Sequence, residues 1–194
     1  MTPERVLKEF RDSGALLDGH FVLSSGLHSR QYLQCARVLM DPKRAARLCK
    51  ALAQKIRLEL AREIDVVVSP AMGGVIVGYE MGRQLGVPAM FLERVDGEFT
   101  LRRGFSLSHK PRVLMVEDIV TTGLSSREAI SAIRAAGGRV VGAACLLDRS
   151  KGQAKVGTRL VSLAGLHVES FSGDKIPADL ANIPAIKPGS RGLV

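Results

Sequence analysis

The chain has 194 residues, enough to bury one good core, and 46% hydrophobic with 24% charged residues fits a soluble globular protein. No apolar run approaches the ~18 residues that span a membrane, and the charged, amphipathic start Met1–Phe10 lacks the core of a secretory signal. The net charge of +9 does not by itself mean nucleic acid, because the 28 Lys and Arg are scattered and aromatics are only 4%. A basic cleft for a phosphorylated small molecule accounts for the charge as well, and so does solubility alone. Cys35, Cys49 and Cys145 are odd in number and share no close spacing. They read as reduced thiols of a cytoplasmic protein, not a disulfide frame or zinc site.

In chain order, Thr2 caps a first helix with Pro3 at its first position, and Val6, Leu7 and Phe10 share one face up to Ser13-Gly14. Residues 19–34 alternate poorly for a helix and predict two short strands about a turn at Ser24-Ser25-Gly26, outside the main sheet. Asp41-Pro42 opens a helix to about Arg62. Asp65–Pro70 is a short buried strand, followed by a small-residue turn and a helix from Val75 to Leu85 that stops at Gly86. Pro88–Leu92 is the next strand. The long charged segment Glu93–Phe105 separates it from a β-branched run at Val113–Val116. A helix from about Ser126 to Ala136, closed by Gly137-Gly138, leads to strands at Arg139–Leu147 and Arg159–Leu163. Strands alternating with helices predict one α/β domain with a mainly parallel sheet and right-handed crossovers.

The chemistry concentrates after Val116. Glu117 and Asp118 fall at the carboxyl end of a predicted parallel strand, where open α/β sheets place ligands. Thr121, Thr122, Gly123, Leu124 and Ser125 then supply backbone N–H groups and hydroxyls at a helix start, which attracts anions by ~0.3–1 kcal/mol per charge. A cap needs one side-chain oxygen or two. Two acids beside a phosphate cradle suit a ribose phosphate instead. Ser69–Gly74 repeats the strand–turn–helix arrangement; alone it is a helix start packed with small residues, but beside the acids Ala71, Gly73 and Gly74 read as a pyrophosphate loop.

Arg149 ends a further strand on the same edge. It can fork onto a ligand carboxylate, or pair with Asp148 or a surface acid. Arg94, Arg102 and Arg103 lie in the segment 93–105, read as a mobile basic loop that closes over phosphates in preference to a solvated hairpin. His20, His28, His109 and His167 have no partner at metal or triad spacing, and neither a nucleophile elbow nor a Walker A pattern is present.

The run Val116-Glu-Asp-Ile-Val-Thr-Thr-Gly-Leu-Ser125 resembles the phosphoribosyl-diphosphate signature of the type I phosphoribosyltransferases. Gly19–Tyr32, Glu93–Phe105, Leu147–Arg149 and the tail Lys187–Arg191 resemble segments of the orotate phosphoribosyltransferase family, so the resemblance covers most of the chain. It implies a small N-terminal hood over about 1–40, a core over about 41–165, a C-terminal tail over about 166–194 and a flexible catalytic loop. Glu117, Asp118, Ile119, Val120 and Thr121 to Ser125 would bind 5-phosphoribosyl 1-diphosphate, with both acids on the ribose hydroxyls. Thr121 and Arg149 would contact orotate. Asp118 would also stabilise positive charge developing on the sugar, and Arg94, Arg102 and Arg103 would serve pyrophosphate across a homodimer interface. Mg²⁺ would be held mainly through substrate oxygens and not by metal-ligating side chains.

This sequence departs from the family's better-known branch in two places: its loop has no lysine or histidine, and His28 stands where a lysine is usual. In addition, residues 172–179 lack the cysteine pair that members of its own branch often carry. A phosphoribosyltransferase for a purine base shares the same sugar motif. So does a phosphoribosyl-diphosphate-sensing regulator that binds nucleic acid, although no helix-turn-helix is appended here.

Overall fold

The computed structural model describes residues 1–23 and 26–187. The Ser24-Ser25 part of the predicted turn and the tail beyond Lys187 lie outside the described residues. The amino-terminal layer contains α1 (Pro3–Asp12), β1 (Leu16–Val22), β2 (His28–Leu33) and α2 (Cys35–Leu39). The core follows as α3 (Pro42–Leu60), β3 (Val66–Pro70), α4 (Gly74–Leu85), β4 (Ala89–Val95), β5 (Glu98–Leu101), β6 (Arg112–Val120), α5 (Leu124–Ala135), β7 (Arg139–Asp148) and β8 (Leu160–Gly165). Two short elements, β9 (Ser170–Phe171) and α6 (Ala178–Ala181), come from the tail.

The predicted caps are present. Thr2 Oγ1 accepts from Arg5 N at 3.4 Å, and Asp41 Oδ1 accepts from Lys43 N at 2.9 Å and Arg44 N at 3.3 Å. Both helices carry proline in the first turn, where its missing N–H costs nothing.

The main sheet has the order β5-β4-β3-β6-β7-β8 and is parallel except for the edge strand β5. Its central strands β3, β6 and β7 are buried on both faces, as a helix-covered parallel sheet requires. Val67, Leu114, Val116, Ala144 and Leu146 join one core with α1, α3 and α4. The alternating residues Val66, Val68, Val113, Met115, Ala143 and Cys145 join the other with α5. Central strand β6 therefore fixes the position of everything at its carboxyl end.

Three elements differ from the sequence-based expectation. β6 does not stop at Val116 but continues through both acids to Val120, because β7 pairs with it throughout, Glu117 opposite Cys145 and Val120 opposite Asp148. The segment 93–105, expected as a flexible loop, instead extends β4 and folds back as β5, with Arg94 opposite Phe99. Asp96 (φ 50°) and Gly97 (φ 89°) form the tight turn, the Asp-Gly pair that a two-residue hairpin favours. The tail, where no strand is expected, supplies β9 as a third strand of the hood sheet β1-β2-β9, and Ile186 bridges Phe21. His20 links these pieces, its Nδ1 2.8 Å from the Ile183 carbonyl and its Nε2 2.6 Å from His28 Nδ1.

Candidate active site

The carboxyl ends of β3 and β6 and the starts of α4 and α5 enclose a cleft of about 330 Å³. It is lined by Ala71, Gly73, Gly74, Arg94, Glu117, Asp118, Ile119, Thr121, Thr122, Gly123, Leu124 and Ser125, all expected from the sequence. Pro70 and Phe99 line it as well. Pro70 ends β3, and no sequence signal marks Phe99, whose place follows from β5 pairing with β4.

The two helices that open onto the cleft start differently from α1 and α3. α1 and α3 are capped by side chains, whereas α4 begins at Gly73 and α5 at Gly123 with no side-chain cap. The first-turn N–H groups of a helix have no partner within it. Leu124 N donates to the Thr122 hydroxyl at 3.3 Å and Val75 N to the Met72 carbonyl at 3.2 Å, and the remaining first-turn N–H groups are left to the cleft, which suits an anion. Gly123 holds φ 74°, which a side chain at that position would strain. A Cβ on Gly73 would lie 3.0 Å from Asp118 Oδ2, so glycine lets the second N–H row approach the acid.

Successive strand residues point to opposite faces, so the two acids diverge. Glu117 is buried beneath α5 and accepts a 2.7 Å hydrogen bond from the Ser126 hydroxyl. Burial pushes its carboxyl up to about 7; the Ser126 bond opposes that rise and the Asp118 charge adds to it. Asp118 faces the hood side. Burial raises its pKa too, against a 2.9 Å hydrogen bond from the Ile119 N–H and a contact from the Cys35 thiol. Val120 differs from its neighbours: its side chain is in the core, and its carbonyl accepts from Arg149 N at 2.8 Å.

Arg149 does not line the cleft wall but stands beside it, next to Cys35, which adjoins Asp118. Its half-buried guanidinium has no ion pair among the described residues, and its buried Nε lacks any hydrogen-bond partner. Burial pulls its pKa down. Asp148 is occupied elsewhere, accepting from the Ser150 N–H at 2.7 Å, the Ser150 hydroxyl at 2.6 Å and the Gly152 N–H at 3.1 Å. The sequence left Arg149 open between an internal acid and a ligand. A desolvated arginine without an internal partner favours the ligand.

The structure separates the three arginines of the hairpin. Arg94 faces the cleft, lies 4.0 Å over the Phe99 ring and pairs with Glu128 of α5. Its neighbour Glu93 points to the opposite face, where it holds Arg103 at 2.6 Å and Arg102 at 3.6 Å. Arg102 and Arg103 are exposed and away from this cleft. Among the described residues, no three His, Cys, Asp or Glu side chains come together as a metal site.

An open, mainly parallel sheet with two helix starts free of side-chain caps and adjacent acids at its edge suits a sugar-phosphate ligand. Residues 39–164 match the phosphoribosyl transferase domain family. Over 193 residues the chain is 62% identical to the orotate phosphoribosyltransferase of Parvibaculum lavamentivorans, covering 100% of both chains. It is 57% identical over 193 residues to that of Maricaulis maris, again covering 100% of both. Among solved structures, orotate phosphoribosyltransferase from Aeropyrum pernix superposes with a TM-score of 0.68 at 32% identity, covering 83% of this chain and 93% of that one. The chain belongs to the orotate phosphoribosyltransferase family.

Proposed function

We infer that the protein transfers the phosphoribosyl group of 5-phosphoribosyl 1-diphosphate to orotate, giving orotidine 5′-phosphate and pyrophosphate in de novo pyrimidine synthesis. The observation that carries the base assignment is Arg149, a half-buried guanidinium with no internal acid beside the acidic edge of the cleft. Orotate has a carboxylate that a guanidinium can grip with two hydrogen bonds; adenine and hypoxanthine have none.

The α5 start, from Thr121 to Ser125, receives the 5′-phosphate, and the uncapped α4 start at Ala71, Gly73 and Gly74 faces the pyrophosphate. Glu117 and Asp118 accept from the ribose hydroxyls. As the bond from C1 to pyrophosphate lengthens, the sugar gains positive charge, and the Asp118 carboxylate stabilises it from a largely desolvated position. Arg94 balances charge on the departing pyrophosphate. The donor set fits Mg²⁺ that would be held mainly through substrate, since among the described residues the cleft offers the carboxylates of Glu117 and Asp118 without a third acid, histidine or cysteine. Mg²⁺ supplies neutralisation of the leaving group.

A homodimer is supported by two features. Met72, in the turn before α4, and Ile76 and Tyr79 on α4 are exposed apolar side chains, 86%, 49% and 71% accessible. Arg102 and Arg103 turn away from their own cleft and, though held by Glu93, are exposed, which suits service to a partner's cleft. Three buried free cysteines support a reducing, cytoplasmic setting. No helix of the described chain is long and apolar enough to cross a membrane.

The test mixes purified protein, Mg²⁺ and 5-phosphoribosyl 1-diphosphate with orotate, hypoxanthine or adenine, and follows loss of each base. Orotate alone is consumed. Turnover of a purine without orotate would overturn the assignment, and salt-sensitive RNA binding without turnover would point to a regulator.

A further inference from the structure

We propose that Glu128 is a positioning residue for the reaction, anchoring the Arg94 guanidinium at the mouth of the cleft through a hydrogen-bonded ion pair; this rests on the phosphoribosyl-transfer reading of that cleft. The two residues are 34 positions apart, on β4 and α5. Arg94 Nη2 donates to Glu128 Oε2, Nη1 donates to the Gly97 carbonyl, and the guanidinium plane rests 4.0 Å from the Phe99 ring centroid. Three contacts from three elements hold one long side chain that would otherwise sample many rotamers.

The position so held is specific. Arg94 lines the cleft and also a second hollow of about 410 Å³, whose wall includes Glu128, Ser131, Gly97 and Phe99. Arg94 and Phe99 line both and stand between the two. Without Glu128 the guanidinium is free to swing into the second hollow, away from the pyrophosphate end of the cleft. Glu128 lies on the first turns of α5, the helix whose start forms the phosphate cradle. One rigid element thus registers both the cradle and the arginine against the substrate. The pair is 43% and 38% exposed, and ion pairs of that kind contribute little to stability. Its consequence is geometric, and misplacing a charged group by about 1 Å costs up to about 10²-fold in rate.

The test is a double-mutant cycle on the full chain with orotate and 5-phosphoribosyl 1-diphosphate. Glu128→Ala lowers kcat about tenfold, leaves the KM for orotate within about twofold and leaves the melting temperature unchanged. Glu128→Gln, which retains an acceptor for Arg94, recovers part of the loss. Arg94→Ala lowers kcat at least as far, and the double variant is no slower than Arg94→Ala alone, because the two side chains act through one contact. Glu128→Ala with wild-type kcat would overturn the proposal, and so would a double variant whose loss is the product of the single losses. Absence of turnover in the unsubstituted protein would instead overturn the reading of the cleft, which the same assay reports separately.

Discussion

The Ser126 hydroxyl donates a 2.7 Å hydrogen bond to Glu117 Oε2, tying the first turn of α5 to the strand that carries both acids. The bond favours the ionised carboxylate, while burial opposes ionisation and prevails, leaving Glu117 with a pKa of about 7. Between its ordinary value of 4.5 and 7 the folded protein holds a proton that the unfolded chain releases. Folding stability therefore falls as pH rises through that window, by at most about 3 kcal/mol at 1.36 kcal/mol per pKa unit. Urea unfolding of the unliganded protein at pH 5 and pH 8 should show this loss, and Glu117→Gln should remove it. Equal pH dependence in both proteins would place the titration elsewhere. Ser126→Ala, lacking the bond that favours the charge, should shift the window to higher pH.

Asp118→Asn should reduce kcat by about 10²-fold while changing either KM by no more than about threefold, since removing one electrostatic stabiliser of a transition state costs that much. A rise in KM at constant kcat would make Asp118 a ground-state binding group only.

Arg149→Ala should raise the KM for orotate by about 10- to 100-fold, the equivalent of losing a charged hydrogen bond of about 1.5–3 kcal/mol. The KM for 5-phosphoribosyl 1-diphosphate should stay unchanged. Arg149→Lys should recover little, because an ammonium keeps the charge but not the fork. Equal weakening of both substrates would contradict a role confined to the base.

Arg102→Ala and Arg149→Ala proteins, each of low activity, should regain turnover when unfolded together and refolded. If the hairpin serves the partner's cleft, each mixed dimer assembles one site with both arginines intact. Random pairing then restores about a quarter of the wild-type sites. No recovery in the mixture would argue against exchange of the hairpin.

Local chemistry was legible in the chain because it depends on neighbours in sequence. Thr2-Pro3 and Asp41-Pro42 mark helix starts by side-chain capping and a fixed φ, and both are seen. Continuous apolar runs at Val66–Val68 and Val113–Val116 specify strands covered on both faces. The acids and small residues from Glu117 to Ser125 mark a phosphate cradle because that chemistry needs N–H groups and carboxylates within one turn. The Asp96-Gly97 turn is equally local and favours the hairpin that the sequence reading weighed and set below a mobile loop.

Tertiary structure alone decided the rest, because it depends on pairings between residues far apart. Strand alternation and the fold-back of β5 set Arg94 against Phe99 and Glu128, and sent Arg102 and Arg103 to Glu93 on the opposite face. Two residues of tail, too short for any periodic signal, complete the hood by pairing with β2. Cys35, from a helix of five residues, reaches both Asp118 and Arg149. The sequence by itself placed two acids and a small-residue helix start at a sheet edge, the pattern that suits a sugar phosphate. Which charges stand free beside that edge was decided by which acids the fold had already brought to their partners.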